Sequence, residues 1–319
     1  MRLKIIQISL LFIVGCLLAA CEKIPFEAEG GQGTTNNSQS NVVIRVVDLD
    51  AGWESSSSRS PVKISEVCSR LQFAVYQGAT RVKYENQKVG DTEIGTFAPQ
   101  LAPGIYQLLV LGHSGAANVT TTHPEKLQFT NPGASNGTGF TDTFYYYGEF
   151  IVDDDGADMS ISMKRATSMF RLKTRDGKPA DVKKFQFYYT GGSGALDAKT
   201  GYGCVNSKQN VLVVLGDSLT RQPLTFDMYT FLHEESGTVT FTINALDDND
   251  NILYTREINA QMKRNCITQY TGRFFTNGDE ETPDDPDDPD QPSDEEPPSS
   301  APGTIYVDSE WANIFEYTF

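Results

Sequence analysis

The chain has 319 residues and a formal net charge of −16, most of which comes from one short segment. Residues 279–296 hold eleven acidic and no basic side chains, whereas residues 21–278 hold 24 basic and 28 acidic ones, a net charge of −4. A body with this balance lacks the basic surface that nucleic acids bind, so no nucleic-acid partner is expected. Only three histidines and no Cys-x-x-Cys pair occur, so neither a metal site nor another cofactor is predicted.

The first 20 residues have the pattern of a bacterial lipoprotein signal peptide. Arg2 and Lys4 precede an apolar run at residues 5–18, which is too short to be a membrane-spanning helix. A Leu-Ala-Ala triplet then precedes Cys21, as a peptidase that cuts ahead of a lipid-modified cysteine requires. We therefore predict export and lipidation of Cys21, which tethers the protein to a membrane. The alternative is an ordinary secretory signal with the same cleavage point.

A leash and then a series of strands are predicted after the signal. Residues 21–41 are rich in Gly, Asn, Thr and Ser and cannot bury a core, so they form a flexible leash. Fully extended, its residues 22–40 reach roughly 60 Å. Alternating apolar residues or β-branched runs then predict strands at 42–47, 71–76, 105–111, 144–152, 159–163, 184–189, 211–215, 238–245, 252–254 and 270–275.

These strands predict an all-β fold. The alternation in 71–76 indicates one apolar face, and 211–215 is typical of a short buried strand. No segment longer than about ten residues has a helical stripe of apolar side chains. Many short strands at regular spacing favour β-sandwiches. The length fits an N-terminal sandwich over 42–165 and a C-terminal sandwich over 166–276.

The C-terminal part divides into a linker and a strand segment. Residues 277–302 are rich in Asp, Glu and Pro, so we expect an extended, solvated linker. Residues 303–319 are apolar and aromatic and too few to fold alone. They either return to their own body or add as a strand to another chain, where main-chain bonds give affinity and alternate side chains fill pockets. The candidate pairing residues of this segment are Ile305, Val307, Trp311, Ile314, Phe315, Tyr317 and Phe319.

No catalytic constellation is predicted, so the chain is not expected to be an enzyme. The segment around Ser218 resembles the nucleophile turn of GDSL-type esterases. Those enzymes have an α/β fold and a C-terminal Asp-x-x-His, and this chain has neither. The acidic run 153–156 lacks the spacing of an EF-hand loop and fits a turn instead. Cys204 and Cys266 could pair in an oxidising compartment, and buried free thiols are the alternative.

One loop after the first predicted strand carries a candidate protease site. Arg59 stands in a small, polar, serine-rich segment, which is the kind of exposed loop that a trypsin-like protease cuts. The plain alternative is an ordinary exposed loop. Cleavage there would separate Cys21 and the first strand from the rest of the chain.

Several motifs, in this order, resemble the fimbrillin superfamily of Bacteroidales, and within it the lipoprotein fimbrium-anchor family of minor subunits. After the signal sequence and the first Val-rich strand, Leu101-Ala102-Pro103-Gly104-Ile105-Tyr106 is similar to that family's Leu-x-x-Gly-x-Tyr motif. Met163-Lys164-Arg165-Ala166-Thr167 resembles its interdomain strand. The segment 265–275 resembles its Asn-x-x-Thr-x-x-x-Gly-x-Phe ending. The resemblance covers roughly residues 21–276.

The resemblance implies two tandem transthyretin-like β-sandwiches and assembly with other fimbrial subunits through donated strands. In polymerising members, cleavage after an Arg removes the lipid and the first strand, whereas anchor members keep both. We therefore expect a non-enzymatic, lipid-anchored subunit of a fimbrium, exposed on the cell outer membrane. The alternatives are a stalk or tip subunit matured by cleavage after Arg59, and a monomeric glycan-binding surface lipoprotein.

Overall fold

The computed structural model describes residues 40–50, 62–90, 94–115, 118–129, 140–276, 306–307 and 311–319. Strands dominate this part of the chain, which confirms the predicted all-β class. Its first half contains β1 Val42–Asp50, β2 Val62–Lys63, helix α1 Ile64–Val67, β3 Arg70–Gln77, β4 Thr80–Lys88, β5 Thr96–Phe97, β6 Gly104–His113, β7 Leu127–Gln128, β8 Thr143–Val152 and β9 Ala157–Arg165.

The second half continues directly from the first, after two connecting residues. It contains β10 Ser168–Thr174, β11 Lys184–Ser193, β12 Ala195–Asp197, β13 Tyr202–Gly203, β14 Asn206–Val214, β15 Thr225–Thr230, β16 Ser236–Leu246, β17 Ile252–Lys263 and β18 Cys266–Gly272, with one 3₁₀ turn at Asp217–Leu219. The C-terminal segment adds β19 Tyr306–Val307 and β20 Asn313–Thr318. Among the described residues, no helix is both long and apolar enough to cross a membrane.

A seven-stranded sheet in the order β4-β3-β6-β8-β9-β1-β5 forms the first half. Strands β8 and β9 pair at only two positions, Phe144 with Arg165 and Tyr145 with Lys164. Side chains of β1 and β9 on one arm, and of β3, β6 and β8 on the other, fill one apolar cluster. The sheet therefore folds over at the β8–β9 junction, so that its two arms face each other as the layers of a sandwich.

Two four-stranded sheets form the second half. Their orders are β15-β10-β18-β20 and β14-β11-β16-β17. Inward side chains of both sheets make a second cluster that is rich in phenylalanine, in which Phe170 stacks on Phe241 at 4.0 Å. Ring stacking of this kind adds to the stabilisation that burial of the apolar area provides.

A third cluster joins the two halves. The outer face of β3, β6 and β8 packs against residues of the second half, among them Leu196 and Phe231. Consequently β3 is buried on both faces. Leu71, Phe73 and Val75 form the predicted apolar face against the first cluster, and the second half covers the opposite face, which the alternation did not predict. All described residues belong to one compact unit, Ser40–Phe319. The division into two domains after residue 165 stays a prediction.

The predicted buried strand at 211–215 is wrong in length and environment. Strand β14 is nine residues long and lies at the edge of its sheet. Val211 faces the second cluster, whereas the side chain of Val214 is 68% exposed. A run of valine and leucine thus marks an edge strand here, because only one of its faces meets the core.

A buried polar contact holds the segment around Val119 against β3. The side-chain amide of Gln72 pairs with the backbone of Val119 in both directions, at 2.9 and 3.0 Å. Its oxygen also lies 3.2 Å from Nε2 of His113, and the N–H of Gly115 donates to Nδ1 of that ring. These contacts fit a neutral imidazole that carries its proton on Nε2. Burial, with a smaller contribution from Arg70, lowers the pKa of His113 to about 4.

We predict that His113 makes the fold sensitive to mild acid. The unfolded chain binds a proton below the ordinary pKa of 6.5, whereas the folded chain resists protonation until about pH 4. The contribution of neutral His113 to the free energy of unfolding is therefore complete above pH 6.5. It is lost as the pH falls from 6.5 towards 4, by up to about 3 kcal/mol. Urea unfolding of the native chain and of His113→Gln across this range measures it. The difference in unfolding free energy between the two should shrink on acidification, and a constant difference would contradict the assignment.

Candidate strand-pairing site

The C-terminal segment lies along the second half of its own chain. Strand β20 pairs in parallel with β18, in a register that starts with Cys266 opposite Asn313 and ends with Thr271 opposite Thr318. The N–H of Ala312 donates to the carbonyl of Asn265 at 2.9 Å, just before the ladder. Five of the predicted pairing residues lie on this segment: Trp311, Ile314, Phe315, Tyr317 and Phe319. The structure thus places them on an edge of the chain's own sheet.

Side chains match along the β18–β20 pair. The Gln269 amide donates to the Glu316 carboxylate at 3.0 Å, and Tyr317 stacks on Tyr270 with ring centroids 4.9 Å apart. At the far end, a Cβ on Gly272 would overlap the backbone of Phe319, so the close approach of the chain end requires glycine there. Each of these contacts joins one residue of β18 to one residue of the segment, so the fit is specific in register.

Strand β20 itself is largely exposed to solvent. Ile314 is 49% and Tyr317 is 40% exposed, and β20 is the last strand of its sheet. Within the described chain, its outer row of N–H and C=O groups faces no further strand. Such an edge is a template for pairing with another chain.

Arg165 stands where the segment meets the junction of the two halves. Its guanidinium is almost fully buried and donates to both carboxylate oxygens of Asp142, with Nε–Oδ1 and Nη2–Oδ2 distances of 2.9 Å. Nη1 donates to the Asn265 side-chain oxygen at 2.7 Å. The ring of Trp311 lies 4.1 Å, and that of Phe144 4.7 Å, from the guanidinium carbon. Arg165 therefore touches the first half, the second half and the C-terminal segment at once.

The turn between β17 and β18 completes this junction. Asn265 has a φ of 56°, a left-handed conformation that asparagine tolerates better than most residues. Its N–H donates to the carbonyl of Thr167 in the connection between the halves, at 3.0 Å. The Thr167 hydroxyl in turn donates to Asp142 at 2.9 Å. The connection, the turn and the ion pair therefore form one hydrogen-bonded unit.

The other strand of interest is β1, which follows the predicted leash. It pairs in parallel with β9 along its length and in antiparallel fashion with β5, so it lies inside its arm of the sheet. Val42, Ile44 and Val46 are fully buried. The amide of Asn41 pairs with the backbone of Leu101 in both directions, at 2.8 and 3.0 Å. The chain is thus fastened at the point where it enters the body.

The remaining predicted site residues lie elsewhere or outside the described chain. Cys21, Arg59 and Ile305 fall outside the described residues, as do the leash before residue 40 and the linker. Val307 lies on β19, which pairs with β2 opposite Val62. The C-terminal segment therefore also pairs with a strand that begins three residues after Arg59. No sequence pattern pointed to this pairing, because β2 and β19 are two residues long.

No catalytic or metal arrangement is found in the described part of the chain. Ser218 is exposed in the 3₁₀ turn, while the ring of His113 is buried beside Gln72 and that of His233 bonds Gly203. No group of His, Cys, Asp and Glu side chains in the described ranges could hold a metal ion. Cys204 is an exposed and Cys266 a buried free thiol. Burial raises the pKa of Cys266.

Comparison with known proteins identifies one family. The family model of the fimbrillin-A associated anchor proteins Mfa1 and Mfa2 matches residues 64–314. No curated protein matches the chain.

Several solved structures are similar to this chain at low identity. A candidate adhesin from Bacteroides ovatus is 10% identical, with a TM-score of 0.46, and the match covers 72% of this chain and 87% of that one. The fimbrial anchor protein Mfa2 from Porphyromonas gingivalis is 14% identical, with a TM-score of 0.38 and coverage of 67% and 80%. The family assignment rests on the family model.

We predict that the Asp142–Arg165 pair is essential to the junction. Asp142→Ala leaves a buried guanidinium without its carboxylate, which typically costs about 3–5 kcal/mol of unfolding free energy. The control is Asp227→Ala, which breaks a similarly forked pair with Arg171 whose side chains are 26% and 32% exposed, and costs about 1 kcal/mol or less. Urea unfolding of both variants measures the two costs. Equal costs would show that the junction does not depend on the buried pair.

Proposed function

Because this chain belongs to the family of fimbrillin-A associated anchor proteins, we propose that it anchors a fimbrium to the outer membrane through a lipid on Cys21. Its association with fimbriae follows from the family, whereas the lipid on Cys21 and the attachment to the outer membrane are our proposal. The lipoprotein signal before Cys21 supports an acylated N-terminus, and the leash would hold the body away from the membrane surface.

The observation that carries the anchor role is the placement of β1. In an anchor, the lipidated N-terminal segment must stay stably attached to the folded body. Strand β1 follows the leash and lies between two neighbours, with three fully buried aliphatic side chains. The amide of Asn41 holds its start to Leu101. The segment that carries a lipid at Cys21 would thus lead directly into a strand that is buried in the core of the first half.

The same placement weighs against the alternative of a stalk or tip subunit. Cleavage after Arg59 would leave β1 held by non-covalent contacts alone. Losing Val42, Ile44 and Val46 from the core would cost roughly 5–9 kcal/mol of transfer free energy. That is comparable to the whole stability of an ordinary domain, so a cleaved chain would need another strand in the place of β1. A chain that keeps β1 needs no such replacement.

We propose further that the C-terminal segment 303–319 takes part in joining other fimbrial subunits by strand addition. Support comes from β20, which is an end strand with two large apolar side chains substantially exposed. Its pairing with β18 runs through main-chain bonds over six residues, the mode by which a strand of another chain would also bind.

The anchor role predicts a specific N-terminus. Mass spectrometry of the protein extracted from native membranes should find Cys21 as the first residue, carrying acyl chains. A Cys21→Ser variant should lose the acyl mass and leave the membrane fraction, because its N-terminus has no thiol to modify. A mature N-terminus at Ser60 would overturn the anchor role in favour of the stalk or tip alternative. An acylated protein from cells without associated fimbriae would favour the glycan-binding one.

Strand addition predicts a loss of assembly on truncation. Deleting 303–319 should leave a folded body on the cell surface with few or no attached fimbriae, counted by immunogold electron microscopy. The control deletes 284–296 from the acidic linker, which removes charge but keeps the strand, and should retain fimbriae. Normal fimbriation of the first variant would exclude this segment as the pairing strand, and circular dichroism verifies that the body has folded.

A further inference from the structure

We propose that Arg165 and Tyr229 form a recognition site for the Trp311 side chain, and that this site latches the C-terminal strand onto β18 of the same chain. The latch covers the edge of β18 and makes β20 the end strand of that sheet. Its occupant is the chain's own segment 311–319. The inference rests on contacts within the body and does not depend on the fimbrial role.

The geometry around Trp311 is that of a built site. The Arg165 guanidinium carbon lies over the Trp311 ring, 4.1 Å from the centroid, and the Tyr229 ring stacks against it at an angle of 30°, with centroids 6.1 Å apart. The edge of the guanidinium is directed at Asp142 and Asn265, which holds its plane fixed and presents its face to the indole. Tryptophan is the aromatic side chain that binds a cation most strongly on its face, and burial of the cation strengthens the contact.

Trp311 also sets the register of the strand. The next residue, Ala312, donates its N–H to the carbonyl of Asn265, whose side chain binds Arg165. From that point, each residue of β20 meets a fixed partner on β18. A shift by one residue would break the Glu316–Gln269 bond and move Tyr317 off Tyr270, because it turns every side chain to the opposite face.

The site is assembled from both halves of the body. Arg165 ends β9 and is held by Asp142, which precedes β8 in the first half. Tyr229 lies on β15 and Asn265 follows β17, both in the second half. The recognition site therefore exists only while the halves keep this arrangement. Docking of the C-terminal strand is thereby coupled to the junction, and each stabilises the other.

The connection is long enough for the strand to dock in its own chain. A parallel partner for β18 requires the chain to return over the length of that strand, about 23 Å for seven residues. Thirty-four residues separate Thr276 from Trp311, and their contour length is about 110 Å. Tethering also holds the segment near its site at a concentration on the order of millimolar, which favours the same chain over a second copy in dilute solution.

Hydrogen exchange of the full mature chain, read by mass spectrometry on peptides that cover 311–319, tests the latch. Trp311→Ala should raise exchange of this segment about tenfold, the effect expected from losing a desolvated cation–π contact. Trp311→Phe should give an intermediate increase, since its ring binds a cation less well. The matched control is Tyr317→Ala, which removes a half-exposed ring from the same strand and should have a smaller effect. Exchange in β16 should not change in any of these variants.

A double-mutant cycle assigns the effect to Arg165. Arg165→Lys keeps the charge but loses the flat face, so it should raise exchange of 311–319 by itself and leave little for Trp311→Ala to add. Additive effects would overturn the assignment, as would equal effects of the Trp311 and Tyr317 substitutions. If Arg165→Lys fails to fold, the graded response to phenylalanine and alanine at Trp311 decides. Protection that increases with protein concentration, together with dimers in sedimentation velocity, would show a second copy as the occupant and overturn the latch.

Discussion

The ion pair between Arg165 and Asp142 is the contact on which the arrangement of this protein depends. Removing a guanidinium from water is costly, and the cost is offset only if its hydrogen bonds are made in good geometry. Here the carboxylate takes two of these bonds and Asn265 takes a third, while aromatic rings cover the faces. These partners come from three stretches of chain: Asp142 and Phe144 from the first half, Asn265 from the second half and Trp311 from the C-terminal segment. The hydrogen bonds and the ring contacts can therefore all be made only when the two halves and the C-terminal segment occupy their places together.

Side-chain amides extend strand pairing beyond the strands themselves. Asn41 bonds both backbone groups of Leu101, and Gln72 does the same for Val119. In each case the amide takes the place of a neighbouring peptide and satisfies polar groups that would otherwise be buried without partners. Both residues lie where an irregular segment meets a regular strand. Irregular segments can therefore cover the apolar clusters at Leu101 and Val119 while their backbone N–H and C=O groups stay hydrogen-bonded.

The sequence predicts the strands far better than it predicts their surroundings. Alternation of apolar residues located most of the long strands, because period-2 burial leaves a direct trace in the chain. Alternation did not show that the second half covers the other face of β3, and the run of valine and leucine in β14 did not show that it is an edge strand. Both failures arise because burial depends on what packs against a strand, and those partners lie far away in the chain. The two-residue strands β2 and β19 are too short to leave a pattern.

The candidate site was predictable only in part. An aromatic C-terminal segment with no core of its own had to pair with some strand, and the sequence located it. Its partner β18 lies 47 residues earlier in the chain, and Arg165, which contacts Trp311, lies 146 residues earlier, so neither leaves a local pattern in the sequence. Arg165 was visible only as part of a motif between the two predicted domains, since nothing local distinguishes a buried arginine from an exposed one.

The position of β1 has a mechanical consequence for a tethered protein. An edge strand can be peeled from its sheet one hydrogen bond at a time by a modest force. Strand β1 is bonded to β9 along its length on one side and to β5 at Ile44 and Arg45 on the other, so a pull on its N-terminal end must break bonds on both sides. It must also drag three aliphatic side chains through the core. In the proposed lipid-anchored form, the N-terminal tether would thus be attached to the body at a strand that resists extraction.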